Sequence, residues 1–249
     1  MKINLSWQGK TYTADLTQPH SLAIPLRGGQ ADPNCYFSPP ATMTPIKSGD
    51  FTGSIDAGAP VNHYLLALSP HGNTTHTECY GHITAGGATI NQCLTRFWFV
   101  AQLLSVTPTE NGSDKVIEHN QLAEQLTAGI EALLVRTLPN STDKLSKNYS
   151  GTNPPYFTAD ALQLLAECNI GHLVCDLPSV DKETDGGRLA AHRAFWQTAG
   201  ILRKGATITE LAYMDNRLAD GLYLLNLQVP AIALDAAPSR PVVYALQAG

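Results

Sequence analysis

The sequence predicts an α/β fold, on three observations. Short apolar runs at 97–104 and 132–137, each bounded by turn residues, read as inner strands. A helical segment at 159–168 runs through Asn169-Ile170-Gly171 into a strand at 172–175, the helix-then-strand order of α/β proteins. The C-terminal third returns to strands.

Residues 1–16 read as a hairpin, with strands INLSW and TYTADL turned by Gln8-Gly9-Lys10. The stretch 19–60 is rich in Pro, Gly, Asp, Ser and Asn and has little periodicity; an irregular segment of that length is usually either functional or disordered. Residues 62–68 are apolar and read as a buried strand entering a histidine cluster. A short helix is expected at 120–126, and Thr158 is placed as the N-cap of the 159–168 helix. After Asp185-Gly186-Gly187, residues 189–197 read as a further helix. No repeat or linker divides the chain, so 1–249 reads as one domain.

Composition narrows the function. Of 249 residues 43% are hydrophobic and 15% charged, which suits a globular protein with a real core. Lys plus Arg is 16 against 21 for Asp plus Glu, a formal charge of −5 without a basic stripe, so nucleic acid is excluded as a partner. No apolar run approaches the ~20 positions of a membrane span. The N-terminus alternates like a strand and lacks the basic-then-apolar pattern of a signal peptide, so a cytoplasmic protein is expected. Five scattered cysteines, none in a C-x-x-C pair, suggest neither a zinc knuckle nor a redox couple.

Chemistry concentrates in Ser69-Pro70-His71-Gly72-Asn73-Thr74-Thr75-His76-Thr77-Glu78-Cys79-Tyr80-Gly81-His82, which holds three of the eight histidines within twelve residues. Imidazole and carboxylate are ligand types for zinc, manganese or ferrous iron. On an extended backbone His76 and Glu78 share a face, because strand side chains repeat every two residues. His71 sits behind a Gly-Asn turn from which it could fold back. A polar loop whose histidines only hydrogen-bond is the other reading. No H-E-x-x-H helix, no P-C-x-x-C partner for His76-Thr77-Glu78, no G-x-S-x-G elbow and no P-loop is present. Cys79 reads as a small apolar residue, Asp176 and Asp181 as strand-end and turn residues, and Tyr36, Phe37 and Tyr80 as packing aromatics.

The cluster resembles the H-x-G-T-H-x-D-x-P-x-H signature of the cyclase and kynurenine formamidase family of metal-dependent hydrolases. Asp176-Leu177-Pro178-Ser179-Val180-Asp181 is similar to that family's D-T-P-S-[VI]-D, and Ala191-His192-Arg193 to its A-H-R. The segment Ala132-Leu133-Leu134-Val135-Arg136-Thr137 matches the strand before its central loop. The resemblance implies a swivelling β/β/α domain with a strand-rich, barrel-like core flanked by helices, and association as a homodimer or homotetramer. It implies His71, His76 and Glu78 as ligands of a divalent metal, zinc first and manganese second. His192 and Glu210 would serve a second ion, so that one or two bind. His82 would be the proton donor and acceptor. The implied reaction is hydrolysis of an amide, formamide or cyclic amide or ester bond of a small molecule by a metal-activated water. Alternatives are a catalytically weak or inactive metal-binding member, or a lactam- or lactone-opening enzyme.

Four departures from the pattern stand out. His71 lies five residues before His76 instead of four, Glu78 replaces Asp, Thr74 replaces Gly, and Tyr80 replaces Pro. Extra residues also lie between His192 and Glu210, around Leu202-Arg203-Lys204-Gly205. The stretch from His20 to Cys35 lacks the tryptophan that formamidases of the family place against the aryl group, so slow or absent turnover of N-formylkynurenine is expected.

Overall fold

The computed structural model describes residues 1–249. The chain opens with strands β1 (Lys2–Trp7) and β2 (Lys10–Asp15), antiparallel as read. Gln8 and Gly9 both take positive φ between them, as a tight hairpin requires. After β3 (His20–Ser21) come β4 (Thr42–Pro45), β5 (Lys47–Ser48), β6 (Phe51–Thr52) and β7 (Tyr64–Ala67). The strand expected at 62–68 exists as β7, but it is not buried: it pairs only with β4, and Leu65 and Leu66 are 55% and 50% exposed. Its apolar character marks a projecting two-stranded arm and not a core strand.

Then follow α1 (Pro70–Asn73), β8 (His76–Cys79), α2 (Ile90–Cys93), β9 (Trp98–Val106), β10 (Thr109–Asn111), β11 (Asp114–Ile117), α3 (His119–Ala123) and β12 (Ala132–Thr137). The remainder is β13 (Tyr156–Phe157), α4 (Ala159–Glu167), β14 (His172–Cys175), α5 (Ala190–Trp196), β15 (Thr207–Glu210), β16 (Gly221–Asn226), β17 (Ala236–Pro238) and β18 (Val242–Ala248). Thr158 occupies the N-cap position of α4, yet its hydroxyl bonds to the Ile117 carbonyl instead of capping the helix. Asn169 ends the helix at positive φ.

The architecture is mixed α/β: a large central sheet with few helices. Its order is β1-β2-β18-β16-β9-β12-β14-β15-β8-β17, with β3 beside β18. The four middle strands β9, β12, β14 and β15 are parallel, joined through α3, α4 and α5; the strands on either side of them are antiparallel. Every residue of β12 is buried. Leu133 and Val135 pack on Leu162, Leu165 and Phe195 of the helix layer, while Ala132 and Leu134 face the other core with Phe99, Leu103 and Leu225. A strand covered on both faces is apolar or has its polar groups satisfied, so 132–135 reads as an apolar run, and Arg136 and Thr137 at its end are held by hydrogen bonds. Each such leucine contributes roughly 1.5–3 kcal/mol on burial.

Parallel strands gather polar residues at their carboxyl ends. Asp176, just past β14, accepts hydrogen bonds from the Thr137 amide at 2.9 Å, the Thr137 hydroxyl at 3.0 Å and Lys144 Nζ at 2.7 Å. That role is structural. Glu210 ends β15 a short way along the same rim.

Candidate metal centre

The site is built on β8. His76 and Glu78 share the helix-side face and are fully buried, while Thr77 on the opposite face pairs its hydroxyl with that of Thr209 at 2.7 Å. The antiparallel register sets Glu210 opposite His76 and Ile208 opposite Glu78. Two carboxylates thus lie diagonally across neighbouring strands, a spacing within reach of long side chains. The β17 strand covers the other edge of β8.

The single helical turn α1, which carries His71, sets the His71 ring 4.8 Å from that of His76, centroid to centroid. Gly72 is required there because a Cβ would collide with the Ser38 side chain. After β8 the chain bends through a 3₁₀ turn at Tyr80–His82, and the His82 ring comes to 4.3 Å from His71. His192 enters from α5. Asp181 accepts from the Ala191 and His192 amides and meets His192 Nδ1 at 2.5 Å, so one carboxylate caps the helix and orients the imidazole.

All six residues singled out from the sequence therefore lie together. Glu78 is the hub: Oε1 meets His192 Nε2 at 3.0 Å, and Oε2 lies 3.3 Å from His71 Nδ1 and 3.7 Å from His82 Nε2. Glu210 Oε2 lies 3.4 Å from His76 Nε2, and Oε1 accepts the Val180 amide. His76 Nδ1 points to the Thr74 carbonyl, which leaves Nε2 facing inward.

Burial alone would raise the Glu78 carboxyl, but His82 and His192 override it and hold the group well below the carboxylate range. Burial would likewise lower His71 and His192; Asp235 with Glu78 at the first, and Glu78 with Asp181 at the second, push each up to about 10. Anionic oxygens surplus to the local cations draw protons onto the rings. Cys79 is buried against the opposite core and its thiol is pushed up to about 12 by burial, which suits packing and not nucleophilic attack.

Two atoms test whether a cation fits. His76 Nε2 and Glu78 Oε2 are buried without a hydrogen-bond partner, a costly state for groups of this kind unless something else binds them. Ligand atoms of His71, His76 and Glu78 lie within 4.8 Å of one another, as do those of Glu78, His82 and His192. This imidazole and carboxylate set suits a divalent metal of the zinc or manganese kind.

Two carboxylates of the site were not singled out as functional from sequence. Asp181 sits inside the D-L-P-S-V-D segment, and its spacing to the Ala191-His192 pair was a usable signal. Asp235, which meets both His71 Nε2 and His82 Nδ1 at 3.0 Å, lies in an apolar stretch that offered none. Tyr36 donates its hydroxyl to the Pro178 carbonyl from a left-handed backbone position that it shares with Phe37.

Comparison with known proteins identifies the family and the fold. The Cyclase family model, described as "Putative cyclase", matches residues 14–182. Among solved structures, one described as a potential metal-dependent hydrolase with cyclase activity superposes with a TM-score of 0.67 at 17% identity, covering 91% of this chain and 97% of its own. Isatin hydrolase A from Labrenzia aggregata, bound to benzyl benzoate, gives 0.67 at 14% identity over 92% and 94%. A predicted metal-dependent hydrolase from Bacillus stearothermophilus gives 0.62 at 18% over 91% and 98%. At these identities the likeness is one of fold.

Proposed function

The chain belongs to the cyclase family, and on that membership and the buried His/Glu cluster we propose that it is a metal-dependent hydrolase of a small-molecule amide, formamide or cyclic amide or ester. The observation that carries this reading is the pair of buried atoms left without a hydrogen-bond partner, His76 Nε2 and Glu78 Oε2, in residues whose ligand atoms lie with that of His71 within 4.8 Å of one another. In the proposal His71, His76 and Glu78 hold one divalent ion, and His192 and Glu210 complete a place for a second. Zinc is the first choice and manganese the second. A bound ion of this type supplies Lewis acidity, lowering the pKa of water and polarising a carbonyl.

The chain's own residues supply the rest. His82 is 29% exposed and, with the half-buried His71, stands at the mouth of the cluster above the buried His76, Glu78, His192 and Glu210, and its Nε2 faces Glu78. It takes a proton from the attacking water and returns it to the leaving nitrogen or oxygen as the carbonyl–heteroatom bond breaks, giving a carboxylate and the freed amine or alcohol. His192 is held by Asp181 and so keeps a fixed ring plane. Glu210 is held by the Val180 amide in the same way.

Metal analysis of the purified protein, with hydrolysis assays on isatin, lactams, lactones and formamides, tests the reading. One or two equivalents of a transition metal are expected, and His76→Ala should lose about 10³-fold in kcat/KM, the scale of a broken metal site. Absence of stoichiometric metal, or full activity in the variant, overturns it. N-formylkynurenine turnover is expected to be slow. Metal bound without hydrolysis of any compound favours the second reading, a metal-holding member with little activity, to which the longer Glu78 carboxylate lends support.

The exposed apolar arm of β4 and β7 supports association as a homodimer or homotetramer, since a lone two-stranded ribbon is marginal in water. No helix is long and apolar enough to cross a membrane. With all five thiols free, the cytoplasm is the compartment we assign, and 1–249 one catalytic domain.

A further inference from the structure

We propose that Asp235 is a positioning residue that sets the tautomers of His71 and His82 together, directing a lone pair of each ring into the reaction centre. This rests on the reading of His82 as proton carrier and His71 as ligand. A neutral imidazole carries one N–H, and whichever nitrogen holds it leaves the other as acceptor or metal ligand. Both rings stand between two carboxylates. His71 has Glu78 Oε2 at 3.3 Å from Nδ1 on the inside and Asp235 Oδ2 at 3.0 Å from Nε2 on the outside. His82 has Glu78 Oε2 at 3.7 Å from Nε2 on the inside and Asp235 Oδ2 at 3.0 Å from Nδ1 on the outside.

Only the outer contacts have hydrogen-bond geometry, since Glu78 Oε2 has no hydrogen-bond partner. In their neutral, singly protonated forms the rings would therefore carry the proton on His71 Nε2 and His82 Nδ1, and one oxygen would accept both. His71 Nδ1 is thereby free to ligate, and His82 Nε2 to receive a proton from water. A metal-ligating histidine commonly donates its other N–H to a carboxylate, and a catalytic histidine is oriented in the same way; here a single side chain serves both.

Asp235 does not owe its place to the histidines. Its carbonyl accepts the Cys79 amide at 3.0 Å, one residue beyond Glu78, and the preceding carbonyl of Leu234 accepts the Ile90 amide at 2.8 Å. Ala236 pairs with Glu78 across the sheet. The sheet delivers the carboxylate to the rings. Asp235 also lies outside residues 14–182, where the family model matches.

Zinc-loaded protein with ¹⁵N-labelled histidine tests the proposal by long-range ¹H–¹⁵N correlation, alongside zinc competition against a chromophoric chelator. The native protein should show His71 as the Nε2–H and His82 as the Nδ1–H tautomer. Asp235→Ala should release the His82 tautomer and weaken zinc about 10- to 100-fold, the usual cost of losing an outer-sphere partner. On whichever compound of the panel is turned over fastest, kcat should fall while KM stays within about 3-fold, and Asp235→Glu should recover part of the loss. Unchanged tautomers with unchanged zinc affinity in Asp235→Ala overturn the proposal. So does loss of a further zinc equivalent, which would make His71, His82 and Asp235 a cation site in their own right. His82→Ala separates the two readings: full activity there sinks the role of His82, whereas the effect of Asp235→Ala on zinc through His71 is read independently of turnover.

Discussion

A residue on the opposite face of the sheet from the cluster makes the acid limb of stability measurable. His172 is buried with Nδ1 at 2.8 Å from the Thr207 hydroxyl and its ring 3.9 Å from Phe99. Burial first, then Arg96 and Arg203, push its pKa down to about 3 from an ordinary 6.5. Between those values the unfolded chain binds a proton that the folded chain refuses, so the contribution of His172 is fully present above pH 6.5 and is lost as the pH drops towards 3. The slope is on the order of 1 kcal/mol per pH unit within the window. His172→Asn should flatten the urea midpoint between pH 6.5 and pH 4 relative to the native protein; identical pH dependence in both would refute this. At the same scale His71, His76, Glu78 and His82 were legible because they crowd one short segment. Asp235 was not, because nothing in a sequence marks a single carboxylate that a distant strand carries to the same point.

At the scale of elements, β7 shows how composition misleads. Tyr-Leu-Leu-Ala has the apolar character of a core strand, and its pairing with β4 was sound local structure, but no second layer covers it. Tyr64, Leu65, Leu66 and Met43 are all exposed. On the oligomer reading the arm is buried by a second copy, so Leu65→Glu combined with Leu66→Glu should convert a dimer or tetramer to monomer in size-exclusion chromatography with light scattering. An assembly of unchanged mass in the double variant would remove the arm from the interface. The buried strands were easier to read. In β12 both faces are covered, so every position is apolar or satisfied, and the run itself is the signal. By contrast, the pairing of β8 between β15 and β17 has no local signature, because partners more than a hundred residues apart are chosen by the packing of the whole sheet.

Across the whole molecule, the proposed ligands come from α1, β8, α5 and β15, spanning residues 71 to 210. An ion held by them ties together segments that the unfolded chain leaves apart, and it stabilises the fold by about 4 kcal/mol when free metal is a thousand times its Kd. Thermal unfolding should therefore move down by several degrees after chelation and return on adding zinc or manganese. A melting temperature indifferent to chelator would argue against a resident ion. The formal charge of −5 belongs to this scale as well: it disfavours polyanionic partners and says nothing of which neutral or cyclic amide enters the site.

By itself the amino-acid sequence determined the α/β class, the hairpin and the inner strands with their helices, and it drew attention to His71, His76, Glu78 and His82, because apolar periodicity and clustered ligand types are local properties; His192 and Glu210 were read only from the resemblance to the cyclase family. Tertiary structure alone decided which carboxylate faces which ring. The register of β15 on β8 sets Glu210 opposite His76, the capping of α5 ties Asp181 to His192, and the edge strand β17 brings Asp235 to His71 and His82. Those contacts join residues distant in the chain, and their distances follow from the packing of the layers, which no local pattern encodes.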